Sequence, residues 1–295
     1  MLHDLAGPAE ELLNAHLEYQ KENDSLWKPY ELVDYGRGRD FIKEPWTRDH
    51  YPLEQGTRDA IYVNLLTEDN LPYYTVVILS KAEKNHPAHD WGLQWTMEEA
   101  RHSDVIRDWV LTTRAYDPAA LEAGRVSQMR KGEVPQPATF IEMLAYTSFQ
   151  ELATQVAHRN TSRKLDKEHG GKKMLALVAG DEGRHHEFYS GLTAAAFEID
   201  PSTTIMAIAK QLHGFKMPGT GIPNFQELSI SIARAGIYDS TQFEKSVVIP
   251  TLEKWKIDDL TNLTPEADKA REAIHRRVVA LGRMASAERE MLANL

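Results

Sequence analysis

Six side chains that commonly bind metals recur in this chain as two groups of three, separated by a constant offset of 83 residues. The first group is Glu68, Glu99 and His102, and the second is Glu151, Glu182 and His185. Within each group the last two residues form a Glu-x-x-His pair, whose spacing places both side chains on one face of a helix. Two matched halves that together supply four glutamates and two histidines are typical of a dinuclear iron or manganese site inside a four-helix bundle.

Helical periodicity places these carboxylates within otherwise largely apolar helix faces. Glu68 shares its face with Ile61 and Leu65, and Glu182 shares its face with Val178. An unpaired charge in such a position is strongly unfavourable, whereas two divalent ions offset four carboxylates charge for charge. A single Glu-x-x-His pair is common on solvent-exposed helix faces. Exposure to solvent does not explain why the motif occurs twice or why it lies on largely apolar faces. We therefore predict a buried metal site.

The composition restricts the chemistry of that site. The 295 residues carry a net charge of −10, which argues against the clustered positive charge of nonspecific nucleic-acid binders. The sequence contains no cysteine, which excludes disulfides, thiolate zinc sites, iron–sulfur clusters and a thiol nucleophile. Any metal must be held by carboxylates and imidazoles, and these ligands suit iron or manganese.

The sequence gives no sign of export or of membrane insertion. Residues 1–6 have neither the basic nor the apolar region of a signal peptide. The longest strongly apolar stretch, residues 73–79, is too short to cross a bilayer. Together with the absence of cysteine, these features predict a soluble, cytoplasmic protein.

The pattern of the whole chain predicts an all-α fold, a four-helix bundle with additional N- and C-terminal helices. We expect helices over residues 9–21, 57–81, 91–113, 139–160 and 172–198, and further helices over 225–295. Residues 27–46 are expected to form a packed aromatic strap, and the prolines and glycines of 114–138 and 217–223 predict irregular links.

No linker divides the sequence, so we expect one domain over residues 1–295. The N-terminal helix and strap occupy 1–54, the metal-binding bundle 55–200, and the additional C-terminal helices 201–295.

Three further residues lie near the predicted ligands. His158 follows Glu151 by two turns on the same face and is either a third imidazole ligand or, as we favour, a histidine outside the ligand set. His186 directly follows a predicted ligand, faces about 100° away and is expected to bond elsewhere. Pro72 is expected to kink the first bundle helix.

At these residues the sequence resembles the soluble acyl-acyl carrier protein desaturases of plant plastids and actinobacteria, above all the mycobacterial type. The similarity spans most of the chain and is carried by residues 66–72 (LTEDNLP), 95–102 (WTMEEARH), 146–154 (YTSFQELAT), 158–161 (HRNT), 181–185 (DEGRH) and 254–256 (KWK). The resemblance implies a ferritin-like homodimer. It also implies two irons that use reduced ferredoxin and O2 to desaturate an acyl chain carried on acyl carrier protein.

The resemblance also implies individual roles. Glu68 and His102 would be terminal ligands of one iron, Glu151 and His185 terminal ligands of the other, and Glu99 and Glu182 would bridge the two. Thr154 matches the family's threonine beside the O2-binding face. Trp27 matches a tryptophan near the cluster and, with Asp181 orienting the imidazole of His102, would form an electron route.

Several questions stay open at this stage. Met143-Leu144-Ala145 stands where plant enzymes have differently shaped residues along the acyl tunnel, so chain length and double-bond position are undetermined. The alternatives are another diiron oxidase, an N-oxygenase or hydroxylase acting on a carrier-bound substrate, or a non-catalytic iron-binding ferritin-like protein.

Docking of the partners raises a question of charge. Acyl carrier protein and ferredoxin are both acidic, so this acidic chain must dock them through a local basic patch. The predicted patch is Arg159, Arg163, Lys164, Lys167, Lys172 and Lys173.

Overall fold

The computed structural model of the chain describes residues 1–217, Gly219 and residues 221–294, and these residues form helices and loops without strands. The helices are α1 (Ala6–Glu22), α2 (Gln55–Glu68), α3 (Leu71–Leu79), α4 (Pro87–Thr113), α5 (Pro118–Lys131), α6 (Phe140–Lys164), α7 (Gly171–Ile199), α8 (Pro201–Gly214), α9 (Phe225–Arg234), α10 (Ser240–Gln242), α11 (Ile249–Lys254) and α12 (Pro265–Ala293). A π-helical segment, Phe243–Val248, joins α10 to α11. The predicted all-α class is confirmed.

The bundle consists of α2, α4, α6 and α7. The helix α6 packs along α7, while α2 contacts both α4 and α6, and α4 contacts α7. Local signals set the starts of the long helices: Pro87 occupies the first turn of α4, and the Thr139 hydroxyl caps α6 by accepting the Glu142 N–H. Helices α1, α4, α6 and α7 agree with their predicted ranges to within about one turn.

The first bundle helix differs from its prediction. We expected one kinked helix over residues 57–81, but the chain breaks after Glu68 and restarts as α3. Pro72 lies in the first turn of α3, where its missing N–H removes no hydrogen bond. The carboxylate of Asp69, the first residue after α2, accepts hydrogen bonds from Arg125 and holds the break in place. Glu68 is therefore the last residue of its helix.

The link between the second and third bundle helices also differs from its prediction. It contains α5, although its proline and glycine residues predicted an irregular segment. Pro118 lies in the first turn of α5 behind the Asp117 cap, and Gly132 ends it at a φ of 59°. Proline is common in the first turn of a helix, and a glycine with positive φ is common just after the last turn. These residues can therefore mark the two ends of a helix as well as interrupt one.

The strap of residues 27–46 has no α-helix or strand, but it is only partly packed: Trp27 is buried, whereas Tyr30 and Tyr35 are 66% and 48% exposed, so the prediction of a packed aromatic segment is wrong for these two residues. It is anchored by the fully buried Arg114, whose guanidinium lies 4.1 Å from the centre of the Phe41 ring and donates to His50 Nδ1 at 3.2 Å. In return the Trp46 indole N–H donates to the Arg114 carbonyl at 2.8 Å. The strap is thereby fastened to the end of α4.

The remaining helices surround the bundle. The helix α1 packs on α4 and α7, α9 packs on α2, and α8 packs on both α6 and α12. The predicted loop at 217–223 includes Pro218 and Thr220, which lie outside the described residues. In the described part of the chain, no helix is both long enough and apolar enough to span a bilayer.

Candidate metal centre

Four helices direct carboxylates and imidazoles into one buried site at the middle of the bundle. The helix α2 contributes Glu68, α4 contributes Glu99 and His102, α6 contributes Glu151, and α7 contributes Glu182 and His185. None of these six residues is more than 6% exposed. The structure therefore brings together every residue of the predicted ligand set.

The donor atoms of these residues fall into two adjacent groups. One comprises Glu68, Glu99, His102 and Glu182, the other Glu99, Glu151, Glu182 and His185, and within each group the atoms lie within 4.8 Å of one another. Glu99 and Glu182 belong to both groups. Two four-ligand positions that share two carboxylates form the arrangement expected for two ions bridged by glutamates.

Several inward-facing atoms have no hydrogen-bond partner. They are Nδ1 of His102, Nδ1 of His185, Oε1 of Glu99 and Oε2 of Glu151. His185 Nδ1 lies 2.9 Å from Glu99 Oε1, yet without hydrogen-bond geometry. Buried polar atoms without partners are costly, and metal ions at the two positions would satisfy all four. The residues therefore fit a carboxylate- and imidazole-bound metal such as iron.

The outer nitrogen of each imidazole is held by a carboxylate. His102 Nε2 donates to Asp181 Oδ2 at 3.1 Å, and His185 Nε2 donates to Glu98 Oε2 at 3.1 Å. Each of these carboxylates directly precedes a shared glutamate in the sequence. The bonds leave both Nδ1 lone pairs facing the site, which is the orientation that a metal-bound imidazole needs. Glu98 was missed at the sequence level, although its match to Asp181 in the 83-residue repeat could have identified it.

The surroundings of Asp181 include the predicted tryptophan. Trp27 Nε1 donates to Asp181 Oδ2 at 3.0 Å. The indole is stacked on the His102 imidazole with ring centroids 6.1 Å apart and an angle of 9° between the planes. Arg101 covers Trp27, with its guanidinium carbon 5.0 Å from the ring centre. The structure thus places Trp27, Asp181 and His102 in continuous contact.

The surroundings of Glu98 are different. Its carboxylate accepts hydrogen bonds from His16 at 2.8 Å and from Gln20 and Gln94 at 2.5 Å each. Burial raises the pKa of Glu98, but the hydrogen bonds from His16 and His185 outweigh burial and hold this pKa far below its usual value. The two halves of the site therefore have matching types of inner residue, but the side chains that hydrogen-bond to Asp181 and to Glu98 differ.

The inner ligands create an environment that attracts positive charge. Burial, reinforced by the charge of Glu182, raises the pKa of Glu151 well above its usual value. Burial lowers the pKa of His102, but the charge of Glu99 and the hydrogen bond to Asp181 raise it well above the usual value. Glu151 and His102 therefore favour their protonated forms, and divalent cations bound beside them would supply that positive charge instead.

The Thr154 hydroxyl contacts both a carboxylate of the site and backbone carbonyls of its own helix. Its hydroxyl lies 2.6 Å from Glu182 Oε2 and within 3.1 Å of the carbonyls of Gln150 and Glu151. His186, by contrast, bonds away from the site as predicted, since its Nδ1 lies 2.8 Å from the Ser148 carbonyl.

His158 lies behind Glu68 rather than in either ligand group. Its Nε2 is 3.0 Å from Glu68 Oε1, and it does not belong to either cluster of donor atoms. This position agrees with the favoured interpretation of a histidine outside the ligand set.

Two neighbouring cavities lie beside the carboxylates. The larger, of about 200 Å³, is mostly apolar and is lined by side chains that include Val63, Ala157, Phe225, Ile232, Ile237 and Tyr238. The smaller, of about 20 Å³, adjoins Glu68, Glu99 and Glu182. Thr67 and Thr154 line both cavities and so mark the junction between them. Residues 143–145, expected along an acyl tunnel, line neither cavity and are buried in the core.

Known proteins resemble this chain over nearly its whole length. The mycobacterial acyl-[acyl-carrier-protein] desaturase DesA1 of Mycobacterium tuberculosis is 33% identical over 285 residues, which cover 93% of this chain and 83% of DesA1. The chloroplastic stearoyl-[acyl-carrier-protein] 9-desaturase of Spinacia oleracea is 29% identical over 92% of this chain and 71% of its own length.

A solved structure and a family model extend the comparison. The X-ray structure of the acyl-ACP desaturase DesA2 from Mycobacterium tuberculosis H37Rv superposes with a TM-score of 0.70 at 23% identity, covering 90% of this chain and 98% of DesA2. That likeness supports the predicted ferritin-like bundle with additional helices. The sequence model described as fatty acid desaturase matches residues 1–294. The chain therefore belongs to the fatty acid desaturase family.

Proposed function

We propose that this protein is an acyl-[acyl-carrier-protein] desaturase that introduces a cis double bond into a saturated acyl chain, using two iron ions, O2 and reduced ferredoxin. The observation that carries the proposal is an apolar cavity next to a smaller cavity that adjoins the two four-ligand positions sharing Glu99 and Glu182. The names of the relatives DesA1 and the spinach 9-desaturase support acyl carrier protein as the carrier of the substrate.

The reaction balances as –CH2–CH2– + O2 + 2 e⁻ + 2 H⁺ → –CH=CH– + 2 H2O. Glu68 and His102 would hold one iron, Glu151 and His185 the other, and Glu99 and Glu182 both. When bound, the iron pair supplies the oxidising chemistry that amino-acid side chains lack.

The larger cavity would bind the acyl chain. Its walls, which include Val63, Phe225 and Ile232, are apolar, so they favour a hydrocarbon over water. Thr67 and Thr154 at its inner end would bring two adjacent methylene groups next to the carboxylates of the smaller cavity. Fixing the chain in this way selects which carbon atoms react.

Electrons would enter from the side of Asp181. Trp27 and Asp181 form a hydrogen-bonded path of side chains from the strap to His102. Reduced ferredoxin would donate at the protein surface near Trp27. The homodimer remains a prediction of the family resemblance, and the cytoplasmic location remains a prediction from the composition of the sequence.

The assay is to load the protein with ferrous iron and supply reduced ferredoxin, O2 and a panel of saturated acyl carrier protein thioesters. We expect an alkene whose position mass spectrometry assigns, with no product when ferredoxin is omitted. A hydroxylated or N-oxygenated product would instead favour the other diiron oxidases. Bound iron without any product would indicate a non-catalytic iron-binding protein.

A further inference from the structure

His158 lies between the apolar cavity and a predicted metal ligand. It is 1% exposed, lines the larger cavity, and bonds to Glu68 Oε1 at 3.0 Å. Its next carboxylate neighbour, Glu182 Oε1, is 4.0 Å away. One edge of this imidazole therefore faces the space where the acyl chain would lie, and one nitrogen contacts the ligand carboxylate.

The neighbours of His158 determine which nitrogen carries the proton. A carboxylate can only accept, so Nε2 must donate its hydrogen to Glu68 Oε1. The Nδ1 atom then accepts a hydrogen bond from the Asn64 side-chain amide at 3.2 Å. Asn64 lies one turn before Glu68 on α2 and also lines the cavity. Asn64, His158 and Glu68 thus form one directed chain of hydrogen bonds.

This chain of hydrogen bonds orients the Glu68 carboxylate. Because Oε1 is held by His158, Oε2 is left on the side of His102 Nδ1, at 3.8 Å. Glu68 is also the last residue of α2, next to a break in the backbone. A ligand at the end of a helix has less backbone support than one in its middle, so its side-chain contacts decide its position.

We propose that Asn64 and His158 are a positioning pair that couples occupancy of the apolar cavity to the orientation of the Glu68 carboxylate. The pair lines the cavity on one side and holds the ligand on the other. An apolar occupant excludes water from the pair, and hydrogen bonds strengthen where the local dielectric constant falls. The inference rests on the proposed function in taking the occupant to be an acyl chain and Glu68 to be a ligand of bound iron.

The test measures the iron site without turnover. The protein is loaded anaerobically with ferrous iron, and its near-infrared circular dichroism is recorded before and after addition of stearoyl-acyl carrier protein. In the parent protein we expect the spectrum to change on addition. In His158→Phe, which keeps an aromatic ring but has no nitrogen, we expect iron to bind and most of this change to be lost.

Two further variants test the hydrogen bonds of the imidazole. His158→Gln retains both an amide N–H donor for Glu68 and a carbonyl acceptor for Asn64, so we expect it to keep most of the parent's response. Asn64→Leu removes the bond to His158 Nδ1, so it should reduce the response as His158→Phe does. The matched control is His186→Gln, which changes a buried histidine that bonds to the Ser148 carbonyl, and it should respond like the parent.

Two results would overturn the inference. One is a parent spectrum that stays unchanged although calorimetry shows that the acyl carrier protein substrate binds. The other is a parent-like response in both His158→Phe and Asn64→Leu. If His158→Phe does not fold, Asn64→Leu and His158→Gln still decide the question. Failure of the proposed function would appear separately, as absence of product in the turnover assay.

Discussion

Glu99 and Glu182 occupy a special position among the six predicted ligands because each belongs to both groups of donor atoms. The remaining four belong to one group each. A side chain shared by two positions supports both, so its removal has a wider effect than removal of a terminal ligand. Comparing the removal of a shared glutamate with the removal of a terminal one therefore distinguishes a bridged pair of metal positions from a pocket that is merely acidic.

Glu182→Ala is therefore expected to lose the coupled iron pair and all desaturation, whereas Glu68→Ala should weaken mainly one position. Iron content per chain and product formation measure both effects. The control is Glu187→Ala, an exposed glutamate on the same helix that pairs with Lys254, and it should retain two irons. Full activity in Glu182→Ala would contradict the ligand assignment.

Thr154→Val removes a hydroxyl that lies 2.6 Å from Glu182 Oε2 but preserves the shape of the side chain. We expect iron to remain bound, because the threonine is not in either ligand group. Loss of a hydrogen bond to a charged group corresponds to about 2 kcal/mol, or roughly 30-fold in rate. The measurement is O2 consumed and peroxide released per double bond, and unchanged coupling would leave Thr154 with a structural role only.

The residues of the site were predictable to different degrees. The ligand set follows from local spacing, because helix geometry fixes which side chains share a face and the repeat doubles the signal. The same repeat matches Glu98 to Asp181, but the bond from Glu98 to His16, which lies 82 residues away in the sequence, has no local signature. The Asn64–His158 bond spans 94 residues and has no local signature either.

At the scale of elements, proline and glycine were the least reliable guides. Pro72 was expected inside a helix and Pro118 in an irregular link, but both lie in the first turn of a helix. A proline is compatible with both contexts, and the choice depends on whether the preceding residues can continue the helix. After Glu68 that choice is made by the Asp69–Arg125 bonds, a tertiary contact. The long amphipathic helices could be predicted from the sequence pattern without knowledge of any tertiary contact.

The strap offers a test of the electron route. Trp27→Leu should leave iron content unchanged, because Trp27 contacts Asp181 and His102 but lies outside both ligand groups. Reduction by ferredoxin should slow by an order of magnitude or more, while reduction by dithionite remains. Trp46→Leu is the matched control in the same strap, bonded to Arg114 instead. Equal ferredoxin rates in both variants would exclude Trp27 from the route.

The predicted basic patch lies at the end of α6 and the start of α7. Arg163 and Lys164 are exposed there, and neighbouring Asn160 donates to the carbonyl of Ile237, a residue of the cavity wall. We expect the double reversal Arg163→Glu/Lys164→Glu to raise KM for acyl carrier protein substrates several-fold. The effect should shrink with added salt, because exposed charges are screened over about 10 Å at 0.1 M ionic strength.

The matched control for this patch is the reversal of two exposed cations on α12, Lys269→Glu/Arg276→Glu. It changes the net charge of the chain by the same amount at a different surface. If the two double variants have the same KM and the same salt dependence, the patch is not the docking site.

At the scale of the whole molecule, the site ties four helices together through its ligands. Iron bound only by the folded state stabilises it by about 2.7 kcal/mol at a hundredfold excess over the dissociation constant. Chelation should therefore lower the thermal midpoint by roughly 5 °C or more. Scanning calorimetry at fixed pH measures this shift, and Glu182→Ala should show little of it. Two separate transitions would contradict the predicted single domain.

The spread of the ligands from Glu68 to His185 has a consequence for the order of events during folding. No local segment of the chain contains either complete group of donors, so a metal ion cannot organise the early folding steps. Bringing such distant residues together has an entropic cost that helix packing must offset. A metal ion would therefore bind after the bundle has assembled, and its binding would require that α7 has already packed against the other three helices.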